Sequence, residues 1–263
     1  MRARLVTLTT DVGASYAAQM KGVLARSLPP GCVVDLVLDL RPHAIDEAAF
    51  LLGHMGATFP AGTVHLAVVD PGVGGARAPI AVACREGSFL VGPDNGLLGP
   101  LSHRLGVRRT VRLDPHRISP DHPVSATFEG RDLFAPAAVL LALGHPLSSL
   151  GPTTTLSYEP PPAVRATPTS VRGRIVHVDR FGNLITDISP ELSDAFRGPL
   201  KVRFPLGRPQ SLPRLRTYSD GRPGAGMVLV SSFGTLEVSV REGSAARRYR
   251  AKAGDALSIG RAR

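Results

Sequence analysis

The sequence predicts an α/β N-terminal domain with a mostly parallel central sheet, followed by a small all-β domain, either a barrel or a sandwich. Three observations carry that expectation. From residue 1 to about 150, apolar runs of strand length alternate with amphipathic runs of helix length. A stretch rich in proline, threonine and serine then interrupts the chain. Beyond it come short strand-like runs separated by turn residues, with no convincing helix.

In the first part, Leu5–Thr9, Val33–Leu40, Val64–Val69, Ile80–Ala83 and Phe89–Val91 read as strands, and Ser15–Ser27, Ile45–Gly56 and Asp132–Leu143 as helices. Strands interleaved with helices favour a parallel sheet covered on both faces, whose ligands gather at the carboxyl ends of the strands. Gly151–Ser170 contains five prolines and suits an extended linker. Domains are therefore expected at 1–155 and 171–263, joined by a linker at 156–170. In the second domain the strands are Arg172–Val178, Leu184–Ile188, Leu200–Phe204, Met227–Val230, Thr235–Val240 and Leu257–Ile259.

The 263 residues, 43% hydrophobic and 20% charged, have the balance of a globular protein with a core in each domain. No apolar run is long enough to span a bilayer. The N-terminus turns polar at Thr7, which reads as a first strand and not a signal peptide, so a cytoplasmic location is expected. Cys32 and Cys84 sit in apolar surroundings without CxxC spacing and read as inert thiols. The net charge of +10 is uneven: residues 1–150 hold 13 Lys and Arg against 12 Asp and Glu, and residues 151–263 hold 18 against 9. Few aromatic residues accompany this charge, so a base-stacking nucleic-acid module is poorly supported, and a solvated or subunit-facing basic surface is expected.

Three loops after strands in the first domain carry polar groups that folding alone does not require. In Thr9-Thr10-Asp11-Val12-Gly13, Asp11 either accepts hydrogen bonds from a ribose diol or caps the following helix. The loop Asp70-Pro71-Gly72-Val73-Gly74-Gly75-Ala76-Arg77 is a tight turn that lets backbone approach a ligand. It has neither the Gly-Lys-Ser/Thr of a P-loop nor the third glycine of a dinucleotide fingerprint. Its Asp70 and Arg77 either pair with each other or both face a bound water. In Thr127-Phe128-Glu129-Gly130-Arg131-Asp132, Asp132 suits a helix cap, whereas Glu129 precedes the helix and is not explained that way.

TTDxG, FPAGTVHLAVVDPGVGGAR, VGPDNGLL, TFxGRDLFAP, HVDRFGNLITDI and SSFGTLEV, together and in this order, resemble the S-adenosyl-L-methionine hydroxide adenosyltransferases, whose relatives include fluorinases and chlorinases. The likeness covers nearly the whole chain. It implies an α/β domain followed by a β-rich one, and a homotrimer whose substrate lies where the first domain of one subunit meets the second domain of its neighbour. It also implies that Asp11 takes the ribose diol, and that Asp70 and Arg77 are two members of an Asp-Arg-His set holding water. Asp179, Asn183 and Ser232, with backbone near Phe233 and Glu242, would hold the adenine and methionine ends. The structural alternative at Asp179–Asn183 is a β-hairpin turn with Gly182 at positive φ.

Two departures stand out. Glu129 replaces the histidine of the family set, and an ionised carboxylate accepts hydrogen bonds where neutral imidazole both donates and accepts. A water would then lie between acceptors with Arg77 offsetting the negative charge, or Glu129 would pair with Arg77 or Arg131. The loop after Asp11 is also about two residues shorter than the resemblance leads one to expect, and lacks an acidic residue used at the amino-acid end of the substrate; Ser15 and Tyr16 stand nearby in sequence.

The resemblance implies hydrolysis of S-adenosyl-L-methionine to adenosine and L-methionine by in-line attack of water on C5′, needing no metal or organic cofactor. The rivals are an S-adenosylmethionine- or nucleoside-binding protein that has lost catalysis through Glu129, a halide-using enzyme, which an ionised Asp70 disfavours by charge, and an RNA-binding protein.

Overall fold

In the computed structural model, which describes residues 3–160, 164–196 and 198–261, the first strand is buried along its whole length because it lies inside a seven-stranded sheet. Residues 1–2, 161–163, 197 and 262–263, which include the start of the first expected domain, part of the expected linker and the end of the second expected domain, lie outside the described residues. The chain divides into two compact units, Met1–Pro160 and Pro161–Arg263.

The first unit runs β1 (Val6–Thr10), α1 (Gly13–Ala25), β2 (Val33–Val37), α2 (Ile45–Met55), β3 (Val64–Val68), β4 (Pro79–Cys84), β5 (Phe89–Pro93), α3 (Gly99–Leu105), β6 (Val107–Arg112), α4 (Pro115–Ile118), α5 (Ala135–Ala142) and β7 (Thr153–Thr154). The sheet order is β2-β1-β3-β5-β4-β6-β7. Strands β2, β1, β3 and β5 are parallel, but β4, β6 and β7 join antiparallel, so the sheet is mixed and not mostly parallel as expected. The reason is connection length. Only residues 85–88 separate β4 from β5, and a parallel partner needs a crossover of a dozen residues. That turn closes with Gly87 at φ +101° and with the Glu86 carboxylate accepting from the Ser88 amide.

Met20 and Leu24 of α1 pack with the buried face of α5 against Leu8 and Leu66. Leu52 of α2 and Leu101 of α3 share a second core with Ala67, Val82 and Leu90. Before α5 the backbone makes one wide π turn over Gly130–Phe134, where the Ala135 amide reaches back to the Gly130 carbonyl. Pro136, without an amide hydrogen, follows at the start of α5. The expected helix at 132–143 thus begins as a different turn, and Asp132 does not cap it: its carboxylate accepts from the Ser125 amide and the Arg131 guanidinium. At the start of the proline-rich stretch, Leu156 packs on the α2/α3 core and the Ser157 amide donates to Asp94.

The second unit contains β8 (Arg165–Ala166), β9 (Ser170–Val178), β10 (Leu184–Thr186), β11 (Leu200–Arg203), β12 (Gln210–Leu212), β13 (Gly226–Val230), β14 (Leu236–Val240), α6 (Ala245–Tyr249) and β15 (Ala256–Arg261). The strand order is β12-β11-β15-β9-β10-β14-β13, with β8 added to β9 and every pair antiparallel. Arg214, just past β12, bridges to Val228 of β13 and nearly closes the sheet into a barrel around Val171, Ile175, Val202, Val238 and Ile259. Among the described residues no helix is long and apolar enough to cross a membrane. Cys84 is fully buried, and burial pushes its thiol up to about 12.

His65 on β3 is buried, hydrogen-bonded to Thr7 across the sheet, and edge-on to Phe59. Burial drives its pKa down to about 4 against a nearby charge on Glu86. Since the folded value lies below the ordinary 6.5, the unfolded chain binds the proton first, and stability falls as pH drops from about 6.5 to about 4. This group accounts for at most about 3 kcal/mol over that window. Urea unfolding of the parent and of His65→Gln at pH 7 and pH 5 should show the parent losing more stability than the variant.

Candidate active site

The site is built where the sheet's parallel strands end. The Val69 carbonyl, one residue past β3, accepts a hydrogen bond of 2.9 Å from Asn95 Nδ2, which anchors the chain just before Asp70. The turn then closes through the Val73 amide to the Asp70 carbonyl and the Gly75 amide to the Gly72 carbonyl. Gly74 has φ +73°, and a Cβ there would lie 2.5 Å from the Ala126 carbonyl oxygen. Only glycine lets the 70–77 turn press against the 125–129 segment this closely.

That approach brings Asp70, Arg77 and Glu129 together. Arg77 Nε donates to both Asp70 oxygens at 3.0 Å, and its Nη2 reaches Asp70 Oδ2 and Glu129 Oε2 in short contacts. The guanidinium also lies over the Phe134 ring, 5.5 Å from its centroid. The three side chains are 11%, 5% and 16% exposed for Arg77, Asp70 and Glu129, so the pairs are poorly screened. Burial works against the Arg77 charge, but the hydrogen bonds and charges of Asp70 and Glu129 outweigh it and hold the guanidinium above its usual range. Of the partners left open for Glu129, the structure selects Arg77. Arg131 is engaged by Asp132 and Gln19 and lies over the Phe128 ring.

Asp11 lies on the wall of the same cavity, about 190 Å³ in volume, with Asp70, Val73, Glu129 and His43. Asp11 does not cap α1, whose N-cap is Val12 without a capping side chain. One Asp11 oxygen instead accepts from the His43 amide at 2.7 Å. His43 is in the left-handed region at φ +65°, and its loop is pinned by Arg41, which donates twice to the buried Glu47. In the shortened segment Gly13 takes φ +76°, α1 starts at once, and the half-exposed Tyr16 meets Phe128 edge-on.

In the second unit, Asp179 and Asn183 belong to the β9–β10 hairpin turn. Asp179 Oδ1 accepts from the Phe181 and Asn183 amides, Oδ2 accepts from Asn183 Nδ2, and Gly182 takes φ +84°. The strand register puts this turn and Glu242 at one end of β14, and Ser232 and Phe233 at the other. Ser232 is exposed at the β13–β14 turn, where the Phe233 amide donates to Ser231. Glu242 is exposed, at φ +55°, and pairs with Arg241. Sequence reasoning did not single out Asn95, His43 or the buried Glu237, which accepts from Tyr218 and Ser239. Asn95 had a visible signal, since it stands inside VGPDNGLL, and the other two had none. Among the described residues no group of three or more His, Cys, Asp or Glu side chains is arranged to hold a metal ion.

Residues 6–151 match the family model described as SAM hydroxide adenosyltransferase N-terminal domain, and residues 173–258 match that of its C-terminal domain. The chain belongs to the SAM hydroxide adenosyltransferase family. Among its relatives, the (R)-S-adenosyl-L-methionine hydrolase of Salinispora tropica is 40% identical, with 97% of each chain covered. A protein of the same name from Thermus thermophilus is 39% identical, covering 92% of this chain and 94% of its own. The crystal structure of an uncharacterized conserved protein from Thermotoga maritima matches with a TM-score of 0.90 at 30% identity, covering 98% of this chain and all of the other.

Among the described residues Arg77 is the one cation bonded to both of these poorly exposed carboxylates, so removing it leaves like charges facing each other. Arg77→Met is expected to cost about 3 kcal/mol of stability, and Glu129→Gln in the same chain to recover part of it. Urea denaturation of the two single variants and the double variant measures that coupling.

Proposed function

We propose that this chain hydrolyses S-adenosyl-L-methionine to adenosine and L-methionine. The observation that carries the reading is the Arg77 clamp, which sets Asp70 and Glu129 beside Asp11 on one small cavity. Supporting it are the family membership and the near full-length likeness to proteins named (R)-S-adenosyl-L-methionine hydrolase.

Asp11 has lone pairs left after the His43 amide and accepts from the ribose hydroxyls. Asp70 and Glu129 accept hydrogen bonds from the attacking water and align it with C5′. As the C5′–O bond forms, the C5′–S bond breaks and its electron pair returns to sulfur, turning the sulfonium into the neutral thioether of methionine. The water's proton passes to a carboxylate of the pair and then to solvent. The leaving group needs no acid, and the step uses no metal or organic cofactor. The Asp179–Asn183 turn, Ser232 and the backbone near Phe233 and Glu242 are assigned to the adenine and methionine ends. A homotrimer in the cytoplasm completes the reading, and light scattering of the purified protein tests the trimer.

Chromatography of purified protein incubated with S-adenosylmethionine, with and without chloride, should give adenosine and methionine at equal rates and no 5′-chloro-5′-deoxyadenosine. Asp70→Asn should slow adenosine formation by about 100-fold or more. Tight binding without adenosine would establish the binding-protein reading instead.

The three carboxylates outnumber Arg77, so the cavity favours a ligand carrying positive charge at the sulfur position. Glu129→Gln should weaken sinefungin, which bears an ammonium group there, about tenfold. The neutral S-adenosylhomocysteine should change by less than about twofold. Calorimetry with both ligands reads the difference, and equal losses would remove charge selection from the account.

A further inference from the structure

Part of the positive excess of the second half has a defined place on the barrel. Strand β15 lies between β11 and β9. The register aligns Arg203, Ser258, Arg172 and Arg165 in one row across four strands, and Lys201, Gly260 and Ser170 in the row beside it. Alternation sends Leu200, Val202, Leu257, Ile259 and Val171 into the core and these residues outward. Arg165, Arg172, Lys201 and Arg203 are all exposed, and none pairs with a carboxylate among the described residues.

The outward positions of β15 are Ala256, Ser258 and Gly260. The cations of β11 and of β9 and β8 therefore stand as two banks, about 10 Å apart across two strand spacings. Along the β11 bank and over β15 is a hollow of about 580 Å³, whose lining includes Ser170, Lys201, Arg203, Ser258 and Arg261, with Arg172 and Arg165 farther along the same row, outside it. No outward position of β8, β9, β11, β12 or β15 carries a carboxylate. Arg174 of β9 is compensated separately by Asp187, beyond the end of β10, at 3.7 Å.

We propose that this furrow binds the phosphodiester backbone of nucleic acid without reading its sequence. Charge complementarity selects the occupant: arginine forks and the lysine match phosphate oxygens, and Ser170 and Ser258 add hydroxyl donors. These outward positions carry no aromatic ring, so bases are not stacked and the contact is to phosphate alone. A second copy offers no matching surplus, because residues 1–150 carry 13 basic and 12 acidic side chains and residues 151–263 carry 18 and 9.

The test titrates the full chain into fluorescein-labelled mixed-sequence oligonucleotides of about 20 residues, single-stranded and duplex, from about 50 to 200 mM NaCl, where phosphate contacts weaken steeply. Affinity should fall with salt with a logarithmic slope of about −3 to −4 on the duplex, as four cation contacts require. Lys201→Gln/Arg203→Gln should lower affinity about tenfold and the slope by about 2. The charge-matched Arg26→Gln/Arg108→Gln, from exposed positions in the first unit, should change affinity by less than about twofold. Adenosine formation should be the same in both variants. The proposal is overturned by no binding at low salt, by equal losses in the two variants, or by a changed oligomeric mass in the furrow variant, which would assign the face to a second copy.

Discussion

The candidate site of the first unit depends on one guanidinium shared by two carboxylates. Asp70 sits at the start of one loop and Glu129 just before a helix, 59 positions later in the chain, and Arg77 is the group bonded to both. Two carboxylates this far from water cost several kcal/mol to desolvate unless a cation and good hydrogen bonds compensate them. The surrounding features serve that pairing. Gly74 removes the Cβ that would hold the two loops apart, and Asn95 fixes the carbonyl from which the turn departs.

Glutamate at position 129 changes the electrical character of this cluster. A neutral imidazole would leave the Asp70–Arg77 pair balanced and provide both a donor and an acceptor. With Glu129 the group carries one negative charge in excess, and the guanidinium spends donors on two carboxylates. A water at these groups faces mainly acceptors, so its protons are well placed to be taken. The same surplus favours a sulfonium and opposes a halide at one stroke.

Much of this was legible in the sequence, for identifiable reasons. Strand β11 could be read because its alternation is strict, with Leu200 and Val202 buried and Lys201 and Arg203 exposed, whereas β13 and β14 read as short apolar runs buried along nearly their whole length. The mixed character of the first sheet is not carried by the apolar pattern; it follows from the four residues between β4 and β5, too few for a crossover. β6 escaped notice because its residues Val107, Arg108 and Arg109 are exposed and lack an apolar face. The loop residues Asp11, Asp70, Arg77 and Glu129 stood out as polar groups after strands. Their partners did not, because His43 acts on Asp11 through its backbone amide, and no side-chain pattern encodes that bond. The placement of basic residues into rows on one barrel face depends on strand register, which a count of charges cannot contain.

The Asp179–Asn183 turn shows why a structural and a binding account of the same residues need not compete. Three donors within the turn already engage the Asp179 carboxylate, and the Ala246 amide holds the Gly182 carbonyl from outside. A Cβ at Gly182 would run into Ser244, so the turn is held in one shape by packing as well. These contacts still leave acceptor capacity on Asp179 Oδ2 and both the carbonyl and one amide hydrogen of the Asn183 side chain. A turn ordered in advance by its own hydrogen bonds pays little conformational entropy when it meets a ligand. In the proposed reading, a backbone already satisfied within the turn leaves the remaining polar groups free for recognition.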